Sequence, residues 1–393
     1  MSHDWKPLLC AVAAGAATIG AVSLATSAVS ARRGTMQSRS AVEDTLRCKL
    51  PADMTTWRTA CEAREQDDAK WEPLRGRFRE RGYTLWSPSQ HASLRAPEGT
   101  EISANGFGYV TSQRGFGAYY NFDRWEYSNP LCRAARTHQG RDVIVRVVKI
   151  GSGGQNHLTI LRRIARGRLS LFSENYTLPV LDEIVFHDIT FCVFPKVNFT
   201  LDMAYGLWPR NSAGDVLNMI MQALEGLAFL HEKRIAHQDA FKSNFMVEWM
   251  PEPLRSSETQ ASRPRVYIID LETAVEFPED CPTDECRCNW LLIPIGIQSR
   301  DYMRPVPPEI LSEQPYDPFK LDVWQLGTSF SDFKMTIPAI DEILGTMTAP
   351  VPSSRRGASE LLRLLGEVVS SLPPSALQIK PSFPPLPFEM TET

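Results

Sequence analysis

Two short stretches constrain this chain most: Ile235–Asn244 (I-A-H-Q-D-A-F-K-S-N) and Val266–Asp270 (V-Y-I-I-D). The first sets a carboxylate, Asp239, and an amide, Asn244, five positions apart, directly after a helical pattern. The second is an apolar strand that ends abruptly on an acid, Asp270. Metal-assisted phosphoryl transfer needs one acid on the attacking hydroxyl, and an amide and a second acid to hold magnesium against the phosphates. Asp239 is therefore the candidate for orienting an acceptor hydroxyl and taking its proton. Asn244 and Asp270 are the candidate magnesium ligands.

The helix leading into this loop is legible from periodicity. Leu217, Ile220, Leu224, Leu227 and Leu230 recur at three and four within Asp215–His231, with Ser212 or Asp215 as the cap. Upstream, Arg141–Ile150 (R-D-V-I-V-R-V-V-K-I) reads as a β-branched strand, and Gln155–Arg168 as a helix with Leu158, Leu161 and Ile164 on one face. A chain of 393 residues, 43% hydrophobic and 22% charged, can bury a full core. The net charge of −4, with no Lys/Arg run dominating a segment, gives no reason to expect nucleic acid. Eight cysteines at irregular spacing do not make a disulfide scaffold, so a reducing compartment is the default.

His-x-Asp-x-x-x-x-Asn followed by a strand-terminal Asp resembles the catalytic loop and metal-binding acid of the eukaryotic protein-kinase family. With G-L-A-F-L-H-E-K-R-I-A-H-Q-D before it, and P-P-E-I-L and D-V-W-Q-L-G after it, the text resembles the divergent kinase-like proteins of mushroom-forming fungi. The resemblance covers residues 120–370. It implies an α+β, bilobal protein-kinase-like fold, with a β-rich N-lobe over 120–195 and a helical C-lobe over 196–370. A hydrophobic anchor or targeting segment (1–34) and an N-terminal extension (35–119) precede these, and a Pro-rich tail (371–393) follows.

The resemblance also implies ATP and Mg2+ as cofactors, and roles for particular residues. Lys149 falls where the family's strand lysine holds the α- and β-phosphates. Lys242, one position later than the family's catalytic-loop lysine, is a candidate for the γ-phosphate. His237 braces the loop, and Asp322 of D-V-W-Q-L-G anchors its backbone from below. Glu309 of V-P-P-E closes a peptide platform, with Arg355 or Arg356 as its partner. Phe191–Val197 (F-C-V-F-P-K-V) corresponds to the adenine-binding hinge.

Four departures stand beside these matches. Asn105–Gly117 carries four glycines but lies too far ahead of the lysine strand, so Gly106 and Gly108 read as turn residues. His157 stands where the family's helix glutamate clamps the lysine, so either another acid, Glu174 or Asp182 for example, replaces the clamp or the lysine is held differently. Gln238 replaces the arginine that pairs with an activation-segment phosphate. Asp270-Leu-Glu272 replaces Asp-Phe-Gly, making Glu272 either a further ligand or lysine partner, or a stiffener of the turn.

The leading expectation is an ATP- and magnesium-dependent serine/threonine protein kinase with a protein substrate. Its rivals are a pseudokinase, acting as a nucleotide-binding or scaffold module, and a small-molecule phosphotransferase. Leu8–Ser30, uncharged and followed by Arg32 and Arg33, reads as a membrane anchor with a cytosolic body or as a cleaved targeting segment. Failing both, the protein is cytoplasmic. Trp57, Trp71 and Phe78 in Thr55–Arg81 read as packing residues, and Trp249–Arg265 as a flexible insertion. Cys281, Cys286 and Cys288 lack a second ligand pair and read as loop thiols. The tail from Pro373 to Pro387 offers an extended ligand to an SH3-type partner. Because Gln238 cannot pair with a phosphate, phosphorylation at Thr283 or Ser299 is expected to leave activity nearly unchanged. A tenfold activation by an upstream kinase would contradict this.

Overall fold

The computed structural model describes residues 41–59, 65–89, 93–98, 124–126, 129–197, 199–206, 212–248, 265–298, 301–312 and 314–382. The chain divides into two compact units, Met1–Ala52 and Asp53–Thr393. In the first, residues 41–48 are helical. Among the described residues no helix is long and apolar enough to cross a membrane. Leu8–Ser30, Asn105–Gly117, Ser299 and residues 249–264 and 383–393 lie outside the described residues.

The second unit is a mixed α+β structure built on a curled antiparallel sheet. Its N-terminal helix α1 (Met54–Arg58) is capped by the Asp53 carboxylate, which accepts from the Thr56 N–H at 2.7 Å. The sheet has five strands: β1 (Tyr83–Leu85), β2 (Cys132–Thr137), β3 (Asp142–Ile150), β4 (Asp182–Phe186) and β5 (Ile189–Pro195), with a separate three-stranded sheet (Ser87–Pro88, Ser93–Arg95 and Arg124–Glu126) between β1 and β2 in the chain. Their order across the sheet is β1-β2-β3-β5-β4, every neighbour antiparallel. Such a sheet is compatible with the small lobe of a kinase. It begins earlier than the boundary at residue 120, because Tyr83–Leu85 pairs with Thr137–Ala135 of β2. The pattern around Tyr83 is too short to announce a strand, and only its pairing partner reveals it.

Helix α2 (Gln155–Ile164) lies between β3 and β4 in the chain and buries Leu158, Ile160, Leu161 and Ile164. After the sheet comes α3 (Ala213–Glu232). Ser212 caps it in a reciprocal box, accepting from the Asp215 N–H while Asp215 accepts from the Ser212 N–H. Strands β6 (Phe245–Glu248) and β7 (Arg265–Ile268) pair antiparallel, and Phe199–Thr200 adds a third strand to them. Helices α4 (Pro318–Ser329) and α5 (Ala358–Ser371) complete the main elements. One hydrophobic cluster joins Val148 and Leu158 to Ile220 and Leu224 of α3, Ile268 of β7 and Leu361 and Leu365 of α5.

Gly226 explains why β7 can approach α3 so closely. A Cβ there would lie 2.7 Å from Ile268 Cδ1 and 2.9 Å from Tyr176 Cβ. A mid-helix glycine costs about 1 kcal/mol relative to alanine, and here it brings the strand that carries Asp270 against the helix that precedes Asp239. The Pro-rich tail is docked through Ser382: Ala213 N–H donates to Ile379 O at 2.7 Å, and Lys334 and Ser382 exchange backbone hydrogen bonds.

The aromatics ahead of β1 pack as read from the sequence, on short helices that among the described residues are α1, Glu65–Trp71 and Arg75–Glu80. Trp57, Trp71 and Phe78 are fully buried and converge on Phe191 of β5, with ring centroids 5.2–6.1 Å apart. Trp71→Ala is expected to destabilise the protein by ~3–5 kcal/mol, read as a lower urea midpoint at unchanged slope. An unchanged midpoint would mean that the segment before β1 is not part of the cooperative unit.

Candidate active site

The loop Ile235–Asn244 is held from below by α4. Asp322, fully buried, accepts from the backbone N–H groups of His237 (2.8 Å) and Gln238 (2.7 Å) and pairs with His231 Nε2 at 2.9 Å. One turn on, Gln325 accepts from Ala240 N–H and donates to Gln238 O. A further turn on, Ser329 Oγ accepts from Lys242 N–H. Positions 322, 325 and 329 share one helix face, so a single rigid element sets the loop's backbone. Gln238 is thereby kept at φ +63°, a left-handed conformation that its type rarely adopts.

His237 braces the loop against the strand end. Its Nε2–H donates to Ile269 O at 2.9 Å while Nδ1 accepts from Asp239 N–H at 3.2 Å, which selects the Nε2–H tautomer. Ile269 N–H in turn donates to Asn244 O at 3.0 Å. Asn244 Nδ2 donates to the Asp239 carboxylate and to its backbone carbonyl, both at 2.7 Å. Asp239, Asn244 and the end of β7 thus meet at one cleft. Asp270 sits there in the left-handed region (φ +60°, ψ +55°), which aspartate tolerates.

The cleft opens into a largely apolar cavity of about 160 Å³. Ile144, Leu161, Phe194, Pro195, Val197 and Met246 are among its walls, so the Phe191–Val197 stretch contributes as a hinge would. Its polar lining includes Arg146, His157, Thr177 and Asp270.

The cation in the cleft is Arg146, not Lys149. The cavity face of β3 carries Ile144 and Arg146, two positions apart. The strand is irregular between Val147 and Lys149. Lys149 is half-buried, lies outside the cavity lining and makes no ion pair among the described residues. Arg146 donates to Asp270 Oδ1 at 2.6 Å and to Glu272 Oε2 at 3.1 Å. Burial alone would raise the Asp270 carboxyl, but the Arg146 guanidinium outweighs it and holds the group well below the usual carboxylate range.

Neither Glu174 nor Asp182 pairs with Lys149 among the described residues. Asp182 instead accepts from Tyr83 Oη at 2.9 Å. Glu272 is committed elsewhere as well: Arg58 of α1 donates to it at 2.6 Å, and its other oxygen accepts from Ile295 N–H at 2.9 Å. Lys242 turns away from the cleft to Asp202 (3.1 Å) and Asp332 (3.0 Å). The charge nearest Asp239 is Arg304, whose Nε lies 3.7 Å from Oδ1. Arg304 also stacks over the Phe241 ring and donates to Ser243 Oγ. Tyr302 Oη donates to the same Asp239 oxygen at 2.8 Å.

Period-two reading from Ile144 would have selected Arg146. Nothing in the sequence marks Tyr302, Arg304 or Arg58. Glu309 is held in a two-pronged pair by Arg355, whose side chain is fully buried, while Arg356 pairs with Glu360 at the surface. Gln238 accepts from Tyr316 Oη at 2.8 Å and donates to Cys288 Sγ. The Cys281 and Cys286 thiols lie 3.3 Å apart. No group of three or more His, Cys, Asp or Glu residues among the described ones is placed to hold a metal ion. Asn244 and Asp270 each carry an oxygen of the kind magnesium accepts, since that ion is commonly held by one or two carboxylates with waters and substrate phosphates completing its shell; the Asp270 carboxylate is here paired with Arg146.

No family model matches the chain. Serine/threonine-protein kinase ppk8 of Schizosaccharomyces pombe is 32% identical to it over 108 residues, 27% of this chain and 17% of that protein. This similarity supports a kinase-like relationship, and the match spans less than a fifth of the relative's length.

Burial, and then the Arg146 charge, push the His157 imidazole down to about 3. The folded state therefore binds this proton more weakly than the unfolded chain, whose histidines titrate near ~6.5. The stabilisation is present above that pH and is lost as pH falls toward 3. Compared with His157→Gln, the native protein should lose up to ~1.4 kcal/mol per pH unit over this window, measured by denaturant unfolding. Parallel curves for the two proteins would show that His157 is not buried neutral.

Proposed function

We propose that the protein is a two-lobed, kinase-like phosphotransferase. In this reading it moves the γ-phosphoryl group of ATP to a hydroxyl of a protein, with serine or threonine as the ordinary acceptor. The observation that carries the reading is the hydrogen-bonded pair of Asp239 and Asn244, tied through the Ile269 N–H to the strand end next to Asp270. Asp239 takes the acceptor's proton, and its position is fixed by Asn244 and by the α4 brace beneath the loop. Asn244 and Asp270 would hold magnesium, which when bound offsets the phosphate charge. Arg146 stands in for the strand lysine as the resident cation, and the apolar cavity beside the hinge takes the base. The Glu309–Arg355 pair supports a peptide platform, which favours a protein over a small-molecule acceptor. Glu272, on which a small-molecule phosphotransferase would rest, has both carboxylate oxygens engaged. Leu8–Ser30 would tether the protein to a membrane.

A second reading, a nucleotide-binding module without transfer, is favoured by one observation. Arg146 already occupies Asp270 and Glu272, so a metal ion must compete with a guanidinium for Asp270. Thermal denaturation with and without Mg-ATP, together with a phosphotransfer assay on mixed peptides, separates the two. Ligand at about a hundredfold excess over its Kd should add ~2.7 kcal/mol. Asp270→Asn should abolish that gain, and Asp239→Asn should keep it while lowering turnover by ~10²–10⁴. A gain without turnover in the native protein selects the binding module. Neither gain nor turnover sinks both readings.

A further inference from the structure

We propose that Arg58, on the helix ahead of the sheet, is a positioning residue for nucleotide phosphate: by holding Glu272 it leaves Arg146 free to pass from Asp270 to a phosphate. The inference rests on the reading above, in which Arg146 is the resident cation of the cleft. Glu272 Oε2 accepts from Arg58 Nη2 at 2.6 Å and from Arg146 Nη2 at 3.1 Å, so two guanidinium groups meet on one oxygen. The same Arg146 nitrogen reaches Asp270 Oδ1 at 2.6 Å. Arg146 thus holds both acids with a single nitrogen. Its Nε is buried and has no hydrogen-bond partner among the described residues. A guanidinium carries five N–H donors in a planar fork that matches phosphate. This one stands on the cavity wall with donors left for a ligand.

The two acids differ in how readily each releases Arg146. The Glu272 side chain is 3% exposed, that of Asp270 26%. A carboxylate shut away from water loses its cation only at a heavy penalty, whereas water takes up part of the Asp270 charge. Arg58 removes the difficulty at Glu272, because it is the nearer cation there, and Ile295 N–H fills the other oxygen at 2.9 Å. Without Arg58, Arg146 would be the one ion-pair partner of Glu272 among the described residues, and the buried acid would draw it away from a phosphate. Arg58 is kept at this post by its neighbours. Lys70 Nζ donates to Trp57 O and to Thr59 O, each at 2.9 Å, and Trp57 is fully buried.

The test measures ATP binding to the full chain by equilibrium dialysis, once in excess EDTA and once with magnesium. The native chain should bind ATP in EDTA, more weakly than with magnesium. Arg58→Gln should lower the affinity in EDTA about tenfold, a coupling usual within one ion-pair network. With magnesium the loss should be at most about threefold, because Asp270, once Arg146 has left it, is open to the metal. Arg58→Lys keeps the charge and should bind as the native chain does. Glu272→Gln keeps an acceptor for Ile295 N–H and removes the pull on Arg146, so adding it to Arg58→Gln should restore binding in EDTA. Should Arg58→Gln alone not fold, Glu272→Gln with and without Arg58→Gln decides the matter. Those two should bind alike, and a difference between them would overturn the inference. Unchanged binding by Arg58→Gln, or equal losses in EDTA and magnesium that Glu272→Gln does not relieve, would overturn it as well. Native binding with magnesium but none in EDTA would overturn the inference and leave the phosphotransfer reading intact. No binding in either would overturn that reading, and this inference with it.

Discussion

The site depends on one buried carboxylate. Asp322 carries its charge in a place with no solvent, and an uncompensated carboxylate there would be costly. It is met by two consecutive backbone N–H groups, of His237 and Gln238, and by the His231 ring. Only a loop turned sharply at Gln238 can present both N–H groups to one acid, which accounts for the left-handed torsion at that residue. A non-glycine residue so placed costs of order 1–3 kcal/mol, and bonds to a charged acceptor, worth roughly 1.5–3 kcal/mol each, are enough to offset it. The consequence is positional: with Gln238 turned, Asp239 and Asn244 face the strand end at Asp270.

Above the loop the electrostatics are shared among four groups rather than concentrated in one pair. Arg58 and Arg146 face Asp270 and Glu272, two cations against two acids. A lysine would offer one compact charge to phosphate; an arginine offers a planar fork that spans two carboxylates. Arg146 uses that geometry to bridge Asp270 and Glu272. The bridging explains how His157 can occupy the helix position without a charge clash. Arg146 draws its counter-charges from the turn after β7, so no acid is required of α2.

Much of this was legible in the chain. The period of α3, the apolar strand just before Asp270 and the His237–Asn244 spacing follow from local rules, and the structure joins them by short hydrogen bonds, with the strand itself stopping at Ile268. The residues at 322, 325 and 329 are legible in the same way, since helix geometry alone aligns them. The misplaced cation has a physical cause: a strand with two basic residues three apart does not announce which one faces inward, and the irregularity beside Val147 disturbs the count. The early start of the sheet was hidden for a different reason. Tyr83–Leu85 is three residues long, and its evidence lies in a partner strand 47 positions onward, from Leu85 to Cys132. Tyr302, Arg304 and Arg58 come from irregular chain or from before the sheet, where no period exists to place a side chain.

The segment after Asp270 shows how the site can be held in one arrangement without a phosphate. Gln238 cannot pair with one, yet it is engaged by the Tyr316 hydroxyl and the Cys288 thiol. Farther along, Glu272 fixes Ile295 N–H, and the buried Arg355 fixes Glu309. Removing one partner of a buried pair such as Glu309–Arg355 typically costs about 3–5 kcal/mol, comparable with what a regulatory phosphate supplies through new charge-assisted bonds. The segment is thus tied at both ends by permanent groups. The freedom that remains lies between them, where Tyr302 contacts Asp239 through a single hydroxyl. A hydrogen bond between one neutral and one charged partner is worth roughly 1.5–3 kcal/mol, which a well-bound substrate can displace. The Tyr302 contact is thus a weaker tie than the anchors around it.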